Sequence, residues 1–159
     1  MSNLQIFYNL YYNNDLSNSE IYGNLYNWYA IDDGRGLCME GWHVPSNSEW
    51  ESLVTYLGGD DIAGGKLKEV GTSHWDSPNL GATNESGFTA LPAGWIHGSQ
   101  EFFSSMNLVA GFWSSTEGWP YNGEIYSAHW WAMISNDTYF HNSGETNKNG
   151  GKFIRCLKD

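Results

Sequence analysis

The chain of 159 residues carries 18 Asp and Glu against 7 Lys and Arg, a formal net charge of −11 at pH 7. Such an anionic chain repels phosphate backbones, so nucleic acid is not expected as a partner. The length suits one domain, and no run of about 18 apolar residues is present, so membrane insertion is not expected either.

Aromatic residues make up 16% of the chain, with 9 Trp and 10 Tyr, and Gly is also abundant at 19. This composition indicates short strands separated by many turns. It also supplies more large rings than one core of this size needs. Some Trp and Tyr side chains are therefore expected at the surface, where these residues commonly act as contact residues.

Residues 1–20 are predicted to form an irregular or strand-like N-terminal arm, and residues 21–159 the domain itself. The arm shows no basic segment followed by an apolar stretch, so no signal peptide is visible in this chain. A strand is predicted over residues 21–31, with Tyr22, Tyr26 and Trp28 on one face and Leu25 and Tyr29 on the other.

The clearest predicted helix follows Pro45. Ser46 and Glu49 have the spacing of a capping box, and Gly58-Gly59 is a typical helix end. Between them, apolar residues recur with helical spacing: Trp50, Leu53, Val54 and Leu57. A second, shorter helix is predicted over residues 62–70, with Lys66, Lys68 and Glu69 facing outward.

Beyond Gly71 the sequence changes to short apolar pieces between Gly, Ser, Asn and Pro. Four of these pieces are predicted strands: residues 88–92, 111–115, 128–133 and 152–156. The polar stretches between them are interpreted as loops.

The two cysteines, Cys38 and Cys156, stand far apart in the sequence. A disulfide between them would close a loop of about 118 residues and stabilise the fold by roughly 4–5 kcal/mol. It would also indicate an oxidising compartment. Two buried free thiols in a cytosolic protein are the alternative interpretation.

Read together, these segments resemble the Fibrobacter succinogenes major paralogous domain, a family of bacterial and phage surface proteins. The resemblance begins at about Tyr22 and reaches the C-terminus. The matching residues are 23–30, Leu37-Cys38, 41–45, Glu49-Trp50, 63–69, His74-Trp75, 84–92, 112–117 and Arg155-Cys156.

The resemblance implies an α+β, C-type-lectin-like fold, in which two helices flank a small twisted antiparallel sheet and the chain termini are adjacent. Long loops form the ligand-binding face of that fold. Cys38 and Cys156 lie where its end-to-end disulfide would be found. Formylglycine-generating enzymes and the variable proteins of diversity-generating retroelements share the architecture.

The segment from residue 117 to residue 151 matches the part of retroelement-diversified relatives that contacts ligand. It mixes rigid rings with small polar groups, a combination typical of binding surfaces. In the strand at 128–133, alternation places His129, Trp131 and Met133 on one face and Trp130 on the other. His129 and Trp131 are expected to be exposed, whereas Met133 and Trp130 are expected to fill the core. The candidate ligand-binding residues are Trp119, Tyr121, Asn122, Tyr126, His129, Trp131, Tyr139 and His141.

No cofactor is expected, and calcium is the metal for which oxygen ligands are available in loops. The candidate ligands are Asp60, Asp61, Asn84 and Glu85. Solvated acidic loops and turn-forming side chains are the alternative interpretation of these residues. The five histidines lack the spacing of a zinc site.

These observations predict a non-enzymatic ligand-binding domain of an adhesin or receptor-binding protein, extracellular on a cell surface or on a virion such as a phage tail. A retroelement-diversified variable protein is one form of it. The expected partner is a protein or glycan on a cell surface, and assembly into a larger oligomer is compatible with this role. The alternatives are a formylglycine-generating enzyme, which needs a reactive cysteine pair, and a structural subunit of a surface assembly.

Overall fold

The computed structural model describes residues 9–98 and 102–159, and in these residues the chain is a mixed α+β structure. Its α-helices are α1 (Leu16–Tyr22), α2 (Asn47–Tyr56) and α3 (Asp60–Leu67). Its strands are β1 (Asn9–Leu10), β2 (Leu25–Tyr26), β3 (Trp42–His43), β4 (Trp95–His97), β5 (Phe102–Ser104), β6 (Val109–Glu117), β7 (Ser127–Ile134), β8 (His141–Asn147) and β9 (Leu157–Lys158). Short 3-10 helices cover Tyr12–Asn14 and Trp28–Ala30.

The main sheet has three antiparallel strands in the order β6-β7-β8. An isolated bridge places Phe153 alongside Phe112 of β6. The two residues before it bridge to other strands, Lys152 to Tyr26 of β2 and Gly151 to Ile96 of β4. The pairs β1-β2, β3-β9 and β4-β5 are separate two-stranded antiparallel sheets. None of the described helices has the length and apolar character needed to span a membrane.

The helix predicted after Pro45 is confirmed as α2. The Glu49 carboxylate accepts hydrogen bonds from the Ser46 backbone N–H at 2.8 Å and from the Ser46 hydroxyl at 2.7 Å, which satisfies the helix start. Trp50 and Val54 are buried against the main sheet. The Trp50 indole N–H also donates to the Trp113 carbonyl at 3.3 Å, so this face of α2 is fixed to β6.

The disulfide between Cys38 and Cys156 is confirmed, with the two Cα atoms 5.8 Å apart. Close by, β9 pairs with β3, and the Asp159 backbone N–H donates to the Gly41 carbonyl at 3.0 Å. The end of the chain is therefore bonded to the segment that leads into α2. At the opposite terminus, residues 1–8 lie outside the described residues. They are the first part of the predicted N-terminal arm.

Several predicted elements were wrong in type or extent. Residues 21–31 contain the end of α1, the two-residue β2 and a 3-10 helix instead of one strand, so three helices are present in the described residues where the resemblance implied two. Residues 88–92 contribute a single bridge, from Ala90 to Lys68, and residues 152–156 contribute bridges in place of a strand. The strand β8 was not predicted.

The second predicted helix is confirmed as α3, which starts two residues earlier and ends three residues earlier than predicted. Lys68, expected to face outward, is fully buried just after its end. Its ammonium donates to the carbonyls of Leu80, Ile134 and Asp137 at 3.0, 3.0 and 2.7 Å. Three acceptors replace the lost hydration, which is why a lysine is tolerated in this interior.

Candidate functional site

A tight hairpin at residues 118–126, here the aromatic hairpin, connects β6 to β7. The backbones of Tyr121 and Glu124 exchange two hydrogen bonds, of 2.8 and 3.1 Å. Between them, Asn122 and Gly123 have φ values of 52° and 84°. An Asn-Gly pair with both φ values positive is the preferred type I′ turn, whose twist matches that of paired strands.

The hairpin presents its three large rings to solvent. Trp119 is 81% exposed, Tyr121 72% and Tyr126 50%. Most large aromatic side chains in a fold are at least partly covered, because their burial contributes strongly to stability. Three such rings on one short hairpin make an apolar surface available to a partner.

The base of the hairpin is anchored by Glu145 of β8. Its carboxylate accepts hydrogen bonds from the Trp119 backbone N–H at 3.1 Å and from the Ser127 hydroxyl at 2.6 Å. The Ser127 bond, followed by the Trp119 bond, holds the pKa of Glu145 below its usual value, even though partial desolvation acts in the opposite direction. The anchoring carboxylate therefore stays ionised at neutral pH.

A second anchor is Lys148, which follows β8. Its backbone N–H donates to the Tyr126 carbonyl at 2.9 Å, and its ammonium pairs with Glu117 at the end of β6. The ammonium also lies 4.1 Å from the centre of the Trp28 ring. Both ends of the hairpin are thus fixed to the sheet, and the exposed rings are presented on a defined backbone.

The charge on this surface is acidic. The Tyr126 hydroxyl donates to the Glu124 carboxylate, and this bond is the main cause that raises the pKa of Tyr126. Glu124 lies within the hairpin, Glu117 ends the strand before it and Glu145 anchors its base. Lys148 pairs with Glu117 and offsets one of these charges. Such a surface disfavours anionic ligands, whereas its carboxylates can accept hydrogen bonds from hydroxyl or amine groups.

A comparison with known families finds the same family that the sequence motifs resemble, over a longer part of the chain. The family model of the Fibrobacter succinogenes major domain matches residues 3–158. The chain belongs to this family. No curated protein and no solved structure matches it. The Fibrobacter succinogenes major domain match also includes part of the predicted N-terminal arm.

The hairpin brings together four of the eight predicted ligand-binding residues: Trp119, Tyr121, Asn122 and Tyr126. His129 of β7 lies near its base, half-buried, with Nε2 3.9 Å from the Glu145 carboxylate and Nδ1 in contact with the Asn142 amide. Glu145, which holds the hairpin, was not predicted from the sequence. The Asn122-Gly123 pair was the signal that could have identified the turn.

Tyr139 and His141 do not join this group. His141 is opposite Ala132 in the sheet, whereas Asn147, next to the hairpin, is opposite Ser127. Five residues along β7 separate these positions, about 17 Å at roughly 3.3 Å per residue. Tyr139 lies instead near Asp61, whose charge is the main cause that raises the pKa of Tyr139.

Trp131 was predicted as an exposed contact residue, and this prediction was wrong. Its side chain is 3% exposed, packs on Phe140 at 5.3 Å between ring centres, and donates its indole N–H to the Asn47 side chain at 3.0 Å. Met133 on the same face is fully buried, whereas Trp130, expected in the core, is half-buried against Trp95. Alternation failed because this sheet is covered on both faces and its register shifts near His129.

The candidate calcium ligands make contacts that are separate from one another. Asn84 exchanges hydrogen bonds with Thr89 at 2.8 and 2.9 Å, and Glu85 forms an ion pair with Lys66 at 2.8 Å. Asp60 and Asp61 occupy the first turn of α3. Within residues 9–98 and 102–159, no three His, Cys, Asp or Glu side chains come together in a way that could hold a metal ion.

Proposed function

We propose that this member of the Fibrobacter succinogenes major domain family is a non-enzymatic ligand-binding domain of a surface-exposed adhesin or receptor-binding protein. The aromatic hairpin is the contact surface, and its ligand is a protein or a glycan on a cell surface. The observation that carries the proposal is the exposure of Trp119, Tyr121 and Tyr126 on a hairpin anchored at both ends.

The chemistry of the hairpin suits binding through stacking. A flat ring can cover the apolar face of a sugar or fill a pocket of a protein, and buried Trp and Tyr residues dominate many binding energies. The anchors at Glu145 and Lys148 limit the backbone freedom that binding would otherwise remove. Less conformational entropy is then lost when the ligand binds.

A C-type-lectin-like architecture is the finer proposal for the fold. The antiparallel sheet, the disulfide that fastens the last strands and the ligand surface formed by a connection between strands support it. The disulfide also supports an extracellular location on a cell or a virion, such as a phage tail. A neighbouring reverse transcriptase gene with a template repeat of the coding region for 117–151 would identify a retroelement-diversified variable protein.

The disulfide also bears on the enzyme alternative. The chain has two cysteines, and both form the Cys38–Cys156 bond. A formylglycine-generating oxidase needs a reactive cysteine pair, and two cysteines joined in a disulfide have no free thiolate to react. Titration with a thiol reagent under native conditions distinguishes the two functions, since the binding domain is expected to give no reaction and the oxidase would react.

The proposal is tested with the labelled full chain on a printed glycan array and on a panel of fixed bacterial cells. The Trp119→Ala/Tyr121→Ala variant is expected to lose at least tenfold in apparent affinity. Tyr56→Ala is the matched control, because Tyr56 is 87% exposed but is the last residue of α2 and not part of the hairpin. Equal binding by the two variants, or no binding of the wild type to either support, would contradict the proposal.

A structural subunit is the remaining alternative, in which the same rings bind another copy of the chain. Light scattering over a range of concentrations separates this case from ligand binding. A monomer at every concentration supports the binding domain. A concentration-dependent oligomer that Trp119→Ala/Tyr121→Ala dissociates would support the structural subunit instead.

A further inference from the structure

A cavity of about 410 Å³ opens on a different part of the molecule from the aromatic hairpin. It forms where four separate parts of the chain meet: the end of α1 with β2, residues 89–91, β6, and residues 153–155. No residue of the hairpin lines it. Its volume lies within the range of about 300–1,000 Å³ that is typical of sites for small molecules.

The lining combines apolar and polar groups. Phe112 and Phe153 are buried, and their ring centres are 5.7 Å apart. Leu91 adds further apolar surface, whereas Asn24 and Thr89 are polar. Aromatic and apolar side chains with a few polar groups are the usual composition of a site that orients a small organic ligand.

Arg155 is the charged residue among those that line the cavity. Its Nη2 donates to the Phe88 carbonyl at 2.7 Å, and its guanidinium carbon lies 4.5 Å from the centre of the Phe88 ring. None of the ion pairs among residues 9–98 and 102–159 involves Arg155. Partial desolvation lowers the pKa of Arg155 from its usual value, although the residue is exposed, and no charged group counteracts this shift.

The contact with Phe88 fixes the direction of this guanidinium. Phe88 in turn packs on Trp50 and Phe112 in the core, with ring centres 6.3 and 5.4 Å apart. A guanidinium has five N–H donors and one is used on the Phe88 carbonyl, so others remain for a ligand. A planar carboxylate matches the spacing of two guanidinium donors.

We propose that this cavity binds a small organic carboxylate, whose aromatic or branched aliphatic body lies against Phe112 and Phe153 and whose carboxylate pairs with Arg155. A single cation balances the one negative charge of a carboxylate, whereas a phosphate dianion would leave charge uncompensated beside two phenyl rings. The site is independent of the proposed binding function, because the hairpin takes no part in it.

The test uses the full ¹⁵N-labelled chain and two probes that differ in charge: 3-phenylpropionate and its uncharged amide, 3-phenylpropionamide. Amide signals of Gly23, Asn24 and Ile154 report on the cavity, and those of Gly118 and Gly123 report on the hairpin. We expect 3-phenylpropionate to shift the first three signals in a saturable way, with little effect on the other two. The amide analogue is expected to bind at least about tenfold more weakly, since it cannot form the charge-assisted pair.

An Arg155→Gln variant is expected to lower the affinity for 3-phenylpropionate by about tenfold while leaving that of the amide analogue unchanged. Arg35→Gln is the matched control, because Arg35 pairs with Asp33 and does not line the cavity. If Arg155→Gln fails to fold, the two probes on the wild type still decide the matter. Equal affinity for the two probes, shifts outside the cavity, or no saturable shift at millimolar concentration would overturn the proposal.

Discussion

Replacing Lys152 by Met is expected to stabilise the protein at neutral pH. Lys152 is 2% exposed, and its ammonium lies 4.8 Å from the centre of the Trp113 ring and 4.6 Å from that of Trp130. Burial lowers the pKa of Lys152 from 10.5 to about 7. Burial lowers the pKa of Lys68 less, from 10.5 to about 8, and its ammonium has three carbonyl acceptors.

The magnitude follows from proton linkage. The difference between 10.5 and about 7, at about 1.4 kcal/mol per pH unit, corresponds to roughly 5 kcal/mol. In the unfolded chain Lys152 keeps its proton up to about pH 10.5, whereas in the folded chain it loses the proton near pH 7. The destabilisation is therefore complete below pH 7 and declines as the pH rises toward 10.5.

The assay is chemical denaturation of the wild type and Lys152→Met at pH 6.5, 8 and 9.5. The variant is expected to be the more stable of the two at pH 6.5. Its advantage in unfolding free energy should fall by about 3 kcal/mol between pH 6.5 and 9.5. Other groups that titrate in this window, Lys68 included, are present in both proteins and cancel in the difference.

Lys158→Met serves as the control, because Lys158 is exposed on β9 and its replacement should change stability by less than about 0.5 kcal/mol at each pH. An advantage of Lys152→Met that does not vary with pH would refute the reasoning. So would a variant less stable than the wild type at pH 6.5, since the attraction of the two rings for the ammonium would then exceed the cost of burial.

Two further predictions concern the scaffold. Replacing both Cys38 and Cys156 by Ser removes a crosslink between residues with a sequence separation of 118. This change should lower the unfolding free energy by about 5 kcal/mol. A loss below about 1 kcal/mol in chemical denaturation would count against the prediction. Gly64→Ala would place a Cβ 2.6 Å from the Tyr139 carbonyl carbon, and such overpacking should cost about 1–3 kcal/mol. Gly34→Ala is its control, because nothing lies within 4 Å of that Cβ, and equal melting of the two variants would contradict the prediction.

The sequence predicted best what is determined locally. The helix α2 has its own capping box and its own glycine end, so a short segment contained the information for its position. The pairing of Cys38 with Cys156 followed from the family resemblance together with the presence of two cysteines. Neither prediction required knowledge of how distant strands pack.

The sequence predicted least where distant contacts determine the structure. The residues of β8 are mostly polar, and pairing with β7 makes them a strand, so no local pattern indicated it. Trp131 was misplaced because packing on both faces of the sheet removes the difference between alternating positions. The cavity at Arg155 was not predicted, since its lining comes from four distant parts of the chain.

Half of the predicted binding residues do gather on one hairpin, and a local signal accounts for this. Asn122 and Gly123 form the turn, and the flanking rings follow from their positions beside it. The anchoring carboxylate of Glu145 comes from another strand and could not be predicted in the same way. The composition indicated that aromatic rings would be exposed on the surface. Which residues lie together on that surface depends on the register of the sheet.

A contact surface separate from the folded scaffold is the central claim, and thermal unfolding of Trp119→Ala beside Trp131→Ala tests it most directly. Trp131 is buried, and its loss should cost about 3–5 kcal/mol, or roughly 10 °C in melting temperature for a chain of this size. Trp119 is exposed, and Trp119→Ala should melt within about 2 °C of the wild type. A melting temperature lowered as much by Trp119→Ala as by Trp131→Ala would show that the hairpin rings hold the fold together, in contradiction to the claim.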